Sequence, residues 1–148
     1  MKDYKEIAWL MERTLHKYIQ YEKIPQPYGD NLILTQAEIH TIVIVGDQEG
    51  INVTQVAKIR GITKGAASQM IYKLVDKGLV EKRISPDSDS AVSLYLTEKG
   101  QWARTEHRKK HETIGVKFAA FMSDIPEGQL HSLVEFLKAF EKELDELP

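Results

Sequence analysis

Apolar residues recur at helical spacing near both ends of the chain. Tyr4, Ile7, Ala8, Met11, Leu15, Tyr18 and Ile19 predict an amphipathic helix over residues 3–22. Leu130, Leu133, Val134, Leu137, Phe140 and Leu144 make a second such stripe close to the C-terminus. Between them the pattern breaks into shorter pieces. EKIPQPYGDN, 22–31, carries two prolines and a glycine and is expected to be a loop. TQAE, 35–38, pairs Thr35 with Glu38 three residues on, a capping box that opens a short apolar helix through Val45. GDQEGIN, 46–52, is a turn. Asn52 caps and Gly61 stops a short helix over 52–61, and Thr63 and Gly78 bound another over 62–78. The stretch 79–97 alternates at its ends, with Val92, Leu94 and Leu96 on one side, and has turn chemistry in its SPDSDS middle, which predicts a β-hairpin. Thr97 then caps a long helix to about Met122, and SDIPE, 123–127, restarts the chain with a capping residue and Pro126 early in the last helix.

Two short helices joined by a tight turn and followed by a hairpin form a winged helix-turn-helix. The fold class is therefore mainly α with a small β-hairpin wing. At 148 residues the chain is the size of one domain. Its winged helix-turn-helix core spans 34–97, flanked by helical regions at 1–24 and 98–148. In such a module the second helix of the pair enters the major groove and its N-terminal side chains meet base edges. Those side chains are Thr63, Lys64, Ser68, Gln69, Tyr72 and Lys73. Gln69 has the geometry for the N6 and N7 edge of an adenine, and Lys64 and Lys73 suit phosphates. The small residues Gly65, Ala66 and Ala67 allow close approach. Met70, Ile71, Leu74 and Val75 belong to the inner face. The plainer view of Ser68 and Gln69 is two exposed polar side chains.

Charge supports the same picture. The net charge is −2, but it is unevenly spread. Residues 52–83 hold seven Lys/Arg against Asp76 and Glu81, a local net of +5, whereas residues 1–51 hold five basic against eight acidic side chains. A basic middle between acidic ends suits a nucleic-acid reader, although a basic patch of no consequence has the same composition. The chain has no cysteine, which excludes disulfides, thiol catalysis and thiolate metal sites. No apolar run approaches the roughly 20 residues of a membrane span, and no signal peptide is visible, so a soluble cytoplasmic protein is expected.

RTEHRKKHET, 104–113, places His107 and His111 four apart on one helix face. Both rings can reach one ion, but two ligands make a poor site, and so charged a run is usually a solvated face. His40 is a polar ring within the apolar helix 36–45. It is either a hydrogen-bonded core histidine or a third ligand. Glu22, at the end of the first helix, offers a carboxylate.

Residues 34–100 resemble the core of the MarR family of dimeric transcriptional regulators. The landmarks are the opening LT of LTQAEIHTIVIVG, the run KLVDKGLVEKR into the wing, and LTEKG after it. The resemblance implies a homodimer on a palindromic double-stranded DNA site, with the N-terminal and last two helices interleaved between protomers. The family usually has an arginine at the wing tip. Here the tip has Asp87 and Asp89 and no arginine, so Lys82 and Arg83 at the wing base are the expected contacts. Gln69 also stands where an arginine is common. Weaker or more salt-sensitive DNA binding is therefore expected. Glu22, His40, His107 and His111 fall on the ligand positions of the zinc-sensing branch of the family. That branch has a second site, with a cysteine where this chain has Tyr28 and a carboxylate where it has Ile39. Of that second site Glu106 remains, so one metal site per protomer is implied. Zinc is the first candidate, and manganese and iron accept the same donors.

Other functions stay open on sequence grounds. A MarR-type regulator could instead answer to a small aromatic acid lodged among Trp9, Tyr18, Tyr21, Tyr28 and Trp102, although aromatics at helical spacing are more often core. An acidic wing would also suit a winged-helix protein-interaction module. An enzyme is not expected: a metal-dependent hydrolase built on the same four residues would lack an HExxH pattern and leave the helix-turn-helix unexplained.

Overall fold

The three central helices form where local signals converge. In the computed structural model, which describes residues 4–84 and 92–148, α2 (Gln36–Asp47) opens on the predicted box: the Glu38 amide donates to the Thr35 hydroxyl at 3.2 Å and the Thr35 amide to the Glu38 carboxylate at 2.9 Å. α3 (Val53–Arg60) opens on the same device, made by Asn52 and Gln55 at 2.8 and 3.0 Å. α4 (Lys64–Asp76) is capped by Thr63, whose hydroxyl accepts from the Ala66 amide at 3.1 Å. Gly61 ends α3 at φ +66°, a left-handed conformation that suits glycine and keeps the α3–α4 turn short. The helices close around Leu34, Ile39, Ile42, Val45, Val56, Ile71 and Leu74, all fully buried.

The wing is an antiparallel hairpin of β3 (Val80–Ile84) and β4 (Val92–Leu96), with Val80 opposite Leu96 and Ile84 opposite Val92. Two bonds fasten it to the turn before α3: the Gly50 amide to the Leu94 carbonyl at 2.9 Å, and the Leu94 amide to the Ile51 carbonyl at 2.8 Å. The predicted wing tip, with Asp87 and Asp89, lies outside the described residues, as do the first three residues. α5 (Glu98–Ser123) starts hard against the wing. The Thr97 hydroxyl donates to the Gly78 carbonyl at 2.6 Å and accepts from the Gly100 amide at 3.1 Å. A Cβ at position 100 would lie 2.1 Å from the Leu79 carbonyl oxygen, so only glycine fits there.

The segment after α1 (Tyr4–Glu22) is not the expected loop. β1 (Pro25–Tyr28) and β2 (Leu32–Thr35) pair antiparallel, Pro25 opposite Thr35 and Tyr28 opposite Leu32. Two strands are all edge, so each proline can turn its missing donor away from the ladder. Tyr28, Leu32 and Leu34 point into the core. Two smaller differences concern helix ends. α2 runs two residues beyond Val45, and α6 (Glu127–Asp145) begins after Pro126 with no side-chain cap, so the expected capping residue of SDIPE does not cap it.

Contacts divide the chain into two units, one through Arg108 and one from Lys109 onward, with the boundary inside α5. The core lies in the first. In the second, Phe136 and Phe140 of α6 stack with ring centroids 6.2 Å apart. Both predicted apolar stripes form, on α1 and on α6, yet neither helix has a buried residue. No helix among the described residues is long and apolar enough to cross a membrane.

Candidate nucleic-acid interface and metal centre

Helical spacing divides the side chains of α4. Ala67, Ile71 and Leu74 are buried, with Met70 and Val75 half-buried beside them. Lys64, Ser68, Gln69, Tyr72 and Lys73 are exposed on the other side, together with the cap Thr63. The Thr63 hydroxyl is already used by the cap, so its first role is to shape the helix end. Tyr72, an aromatic ring 69% exposed, has no packing duty that would explain it. Position and orientation of α4 are held from behind. The Glu38 carboxylate, buried in α2, accepts from the Lys77 ammonium at the end of α4 at 2.7 Å.

Both cations at the base of the wing are exposed. Arg83 is partly committed: its Nε donates to Glu81 at 3.0 Å and its guanidinium lies 3.9 Å from the centroid of the Tyr95 ring. The hydrogen-bonded Glu81 carboxylate raises the Arg83 pKa further above its usual value. Lys82 is therefore the less encumbered phosphate partner of the two.

Three of the four predicted metal ligands come together. His40, His107 and His111 each offer one ring nitrogen, and these atoms all lie within 4.8 Å of one another. Tetrahedral zinc with Zn–N bonds near 2.1 Å places its ligand nitrogens about 3.4 Å apart, so modest side-chain rotation would close the set. The rings differ in setting. His107 is only 6% exposed, His40 is half-buried and His111 is exposed. The His40 and His107 rings meet edge-on with centroids 5.4 Å apart. His107 and His111 share a face because α5 is continuous through both.

Glu22 is not in the cluster. Its carboxylate sits 3.3 Å from the guanidinium of Arg60, at the end of α3, where both side chains are largely buried. A cation in that setting needs a counter-charge, and Glu22 supplies it. The Arg60 Nε is buried with no hydrogen-bond partner among the described residues, so this pair is the chief compensation Arg60 has.

A residue whose role the sequence left open stands beside the cluster. The Tyr28 hydroxyl lies 3.0 Å from Nδ1 of His107, in a buried contact that spans 79 residues of sequence. Tyr28 is 2% exposed, and burial, with a smaller contribution from Tyr21, raises its pKa above the usual value near 10. The phenol is thus neutral throughout the physiological range. Of the other aromatics expected to line a small-molecule pocket, Trp9, Tyr18 and Tyr21 lie along α1, with the Tyr18 and Tyr21 rings 6.4 Å apart. Trp9 and Tyr21 line an open groove along α1 with Arg13 and Lys17, whereas the Trp102 ring lies against Gly29.

A capped pair of short helices, a wing fastened to it and an outward polar face on the second helix define a winged helix-turn-helix protein. The MarR family model matches residues 34–89, the segment that holds the helix pair and the start of the wing. It is 29% identical over 111 residues to the uncharacterized HTH-type transcriptional regulator YhjH of Bacillus subtilis, covering 75% of this chain and 63% of that one. The match thus spans about three fifths of the relative's length. Among solved structures, Streptococcus pneumoniae FabT in complex with DNA superposes with a TM-score of 0.71 at 22% identity, over 99% of this chain and 100% of that one. The zinc-responsive MarR family member ZitR of Lactococcus lactis superposes at 0.68 and 18% identity, over 95% and 97%. At these identities the structural likeness speaks for the fold.

Proposed function

We propose that the chain is a DNA-binding transcriptional regulator, not an enzyme, that acts as a homodimer on a palindromic operator and whose DNA affinity is set by a metal ion, zinc first. The observation that supports the DNA role is the face of α4: Lys64, Ser68, Gln69, Tyr72 and Lys73 are all exposed on a helix whose opposite side is locked into the core. Gln69 and Ser68 read base edges, and Lys64, Lys73 and Lys82 hold phosphates. FabT, crystallised on DNA, has the same fold. The apolar stripes of α1 and α6, uncovered in a single chain, call for a second copy.

The observation that supports metal control is the convergence of His40, His107 and His111. An ion there would tie α2 to α5. It would be held by these three rings and a fourth donor, with Glu22 left on Arg60. α2 in turn grips α4 through Glu38 and Lys77, so the ion would act on the helix that meets DNA. In a two-fold dimer the two recognition helices must stand about 34–36 Å apart to enter successive major grooves. A metal that favours that spacing raises DNA affinity by its differential affinity for the two states, and DNA raises metal affinity by the same factor.

The test is zinc-dependent binding to duplex DNA by wild-type protein and His40→Ala. The variant is expected to stay a folded dimer and lose the zinc response. A zinc response retained in His40→Ala would sink the metal role while leaving the DNA role intact.

A further inference from the structure

The geometry points to Tyr28 as the residue that orients His107 for an ion, by accepting the Nδ1 proton and so presenting Nε2 to the metal. The inference rests on the metal site proposed above and names a positioning residue outside its ligands. Three observations carry it. The Tyr28 hydroxyl lies 3.0 Å from Nδ1 of His107, and both side chains are buried, at 2% and 6% exposure. Tyr28 ends β1 and is pinned by pairing with Leu32 across the hairpin, so the oxygen is fixed in place by backbone structure. The His40 ring stands edge-on to the His107 ring with centroids 5.4 Å apart, and one nitrogen of each belongs to the three-histidine cluster, so the nitrogen that Tyr28 does not hold is the one left for an ion.

The chemistry follows from the two tautomers of neutral imidazole. A ring that gives Nε2 to an ion must carry its proton on Nδ1, and a buried N–H needs an acceptor. A phenol oxygen serves as either donor or acceptor. With no ion bound, Tyr28 donates its O–H to Nδ1 and the ring proton sits on Nε2. On loading, the ring proton sits on Nδ1 instead of Nε2, the phenol O–H rotates away from Nδ1, and the Tyr28 oxygen becomes the acceptor of the Nδ1 proton. No net proton is gained or lost by the neutral His107 ring. The contact thus serves both states and fixes which nitrogen the ion meets. It also links the ligand to the β1–β2 hairpin, which joins α1 to α2.

The test compares full-length wild type with Tyr28→Phe, which keeps the ring and removes only the oxygen. Zinc affinity is measured by competition with a chromophoric chelator, and the His107 tautomer by ¹⁵N-detected NMR of the zinc-loaded protein. Wild type is expected to show Nδ1–H with zinc on Nε2, and Tyr28→Phe to bind zinc about tenfold to a hundredfold more weakly with its fold intact. The wild-type tautomer needs no variant, so the inference can be overturned even if Tyr28→Phe fails to fold. Zinc on Nδ1 of His107 would overturn it, as would wild-type zinc affinity in Tyr28→Phe. Wild-type protein that takes up no zinc would instead overturn the metal site itself, and this inference with it.

Discussion

The winged head and the flanking helices treat their apolar residues in opposite ways. In the head, Leu34, Ile39, Ile42, Ile71, Leu74, Leu79 and Leu94 are fully buried, and both ends of the α3–α4 turn are capped. On α1 and α6 the stripes are as regular, yet Leu15, Ile19, Leu133, Val134 and Leu137 are each 44–50% exposed. The head therefore satisfies itself within one chain. The flanks are amphipathic helices whose stability must come from packing that one chain does not supply. On the function proposed above, the difference separates the part that would read DNA from the part that would assemble the reader.

The comparison can be broken most severely in the head. Leu74→Ala should lower unfolding free energy by about 3 kcal/mol, seen as a large drop in urea midpoint. The matching change on α6, Leu137→Ala, should cost little if α6 stays in water, roughly 0.5 kcal/mol at most. A larger loss that depends on protein concentration would show that a second copy covers this face. Glu38→Gln comes next. It removes the charge that faces Lys77, but that ammonium is about a third exposed, keeps the Ile33 carbonyl at 3.4 Å and can turn to water, so a loss of about 1 kcal/mol is expected by denaturant titration. Lys73→Ala should leave stability unchanged and reduce the slope of log affinity against log salt by about 1, uniformly across DNA sequences. The smallest effect is alkaline. Because burial raises the folded-state pKa of Tyr28, its stabilising contribution is complete below the usual value near 10 and is lost as pH rises through the higher folded value. Tyr28→Phe should flatten that alkaline decline in Tm.

Most of the head was legible because its determinants are local. Thr35 with Glu38, Asn52, Thr63, Gly61 and the alternation of β4 all act within four residues of themselves. The β1–β2 hairpin was not legible, since two prolines in four residues point away from a strand unless the strand is known to be an edge. The metal cluster divided along the same line. His107 and His111 share a face by helix geometry alone, and His40 stood out as a ring in an apolar helix. Glu22 was placed among the ligands by its position at the end of the first helix and by the family resemblance, whereas its contact with Arg60, 38 residues away, has no local pattern to announce it. Tyr28 was read as a possible pocket aromatic and as the residue standing where a second metal site would have a cysteine, because its contact with His107 depends on how β1 meets α5.

The central claim is that the histidine cluster binds a metal whose occupancy is linked to DNA. The direct measurement is zinc affinity and stoichiometry of untagged, chelator-stripped protein, with and without a duplex that the protein itself selects from a random pool. The account predicts about one ion per chain, and tighter zinc binding on DNA by a factor of at least about five. No zinc uptake, or the same zinc affinity with and without DNA, would contradict it.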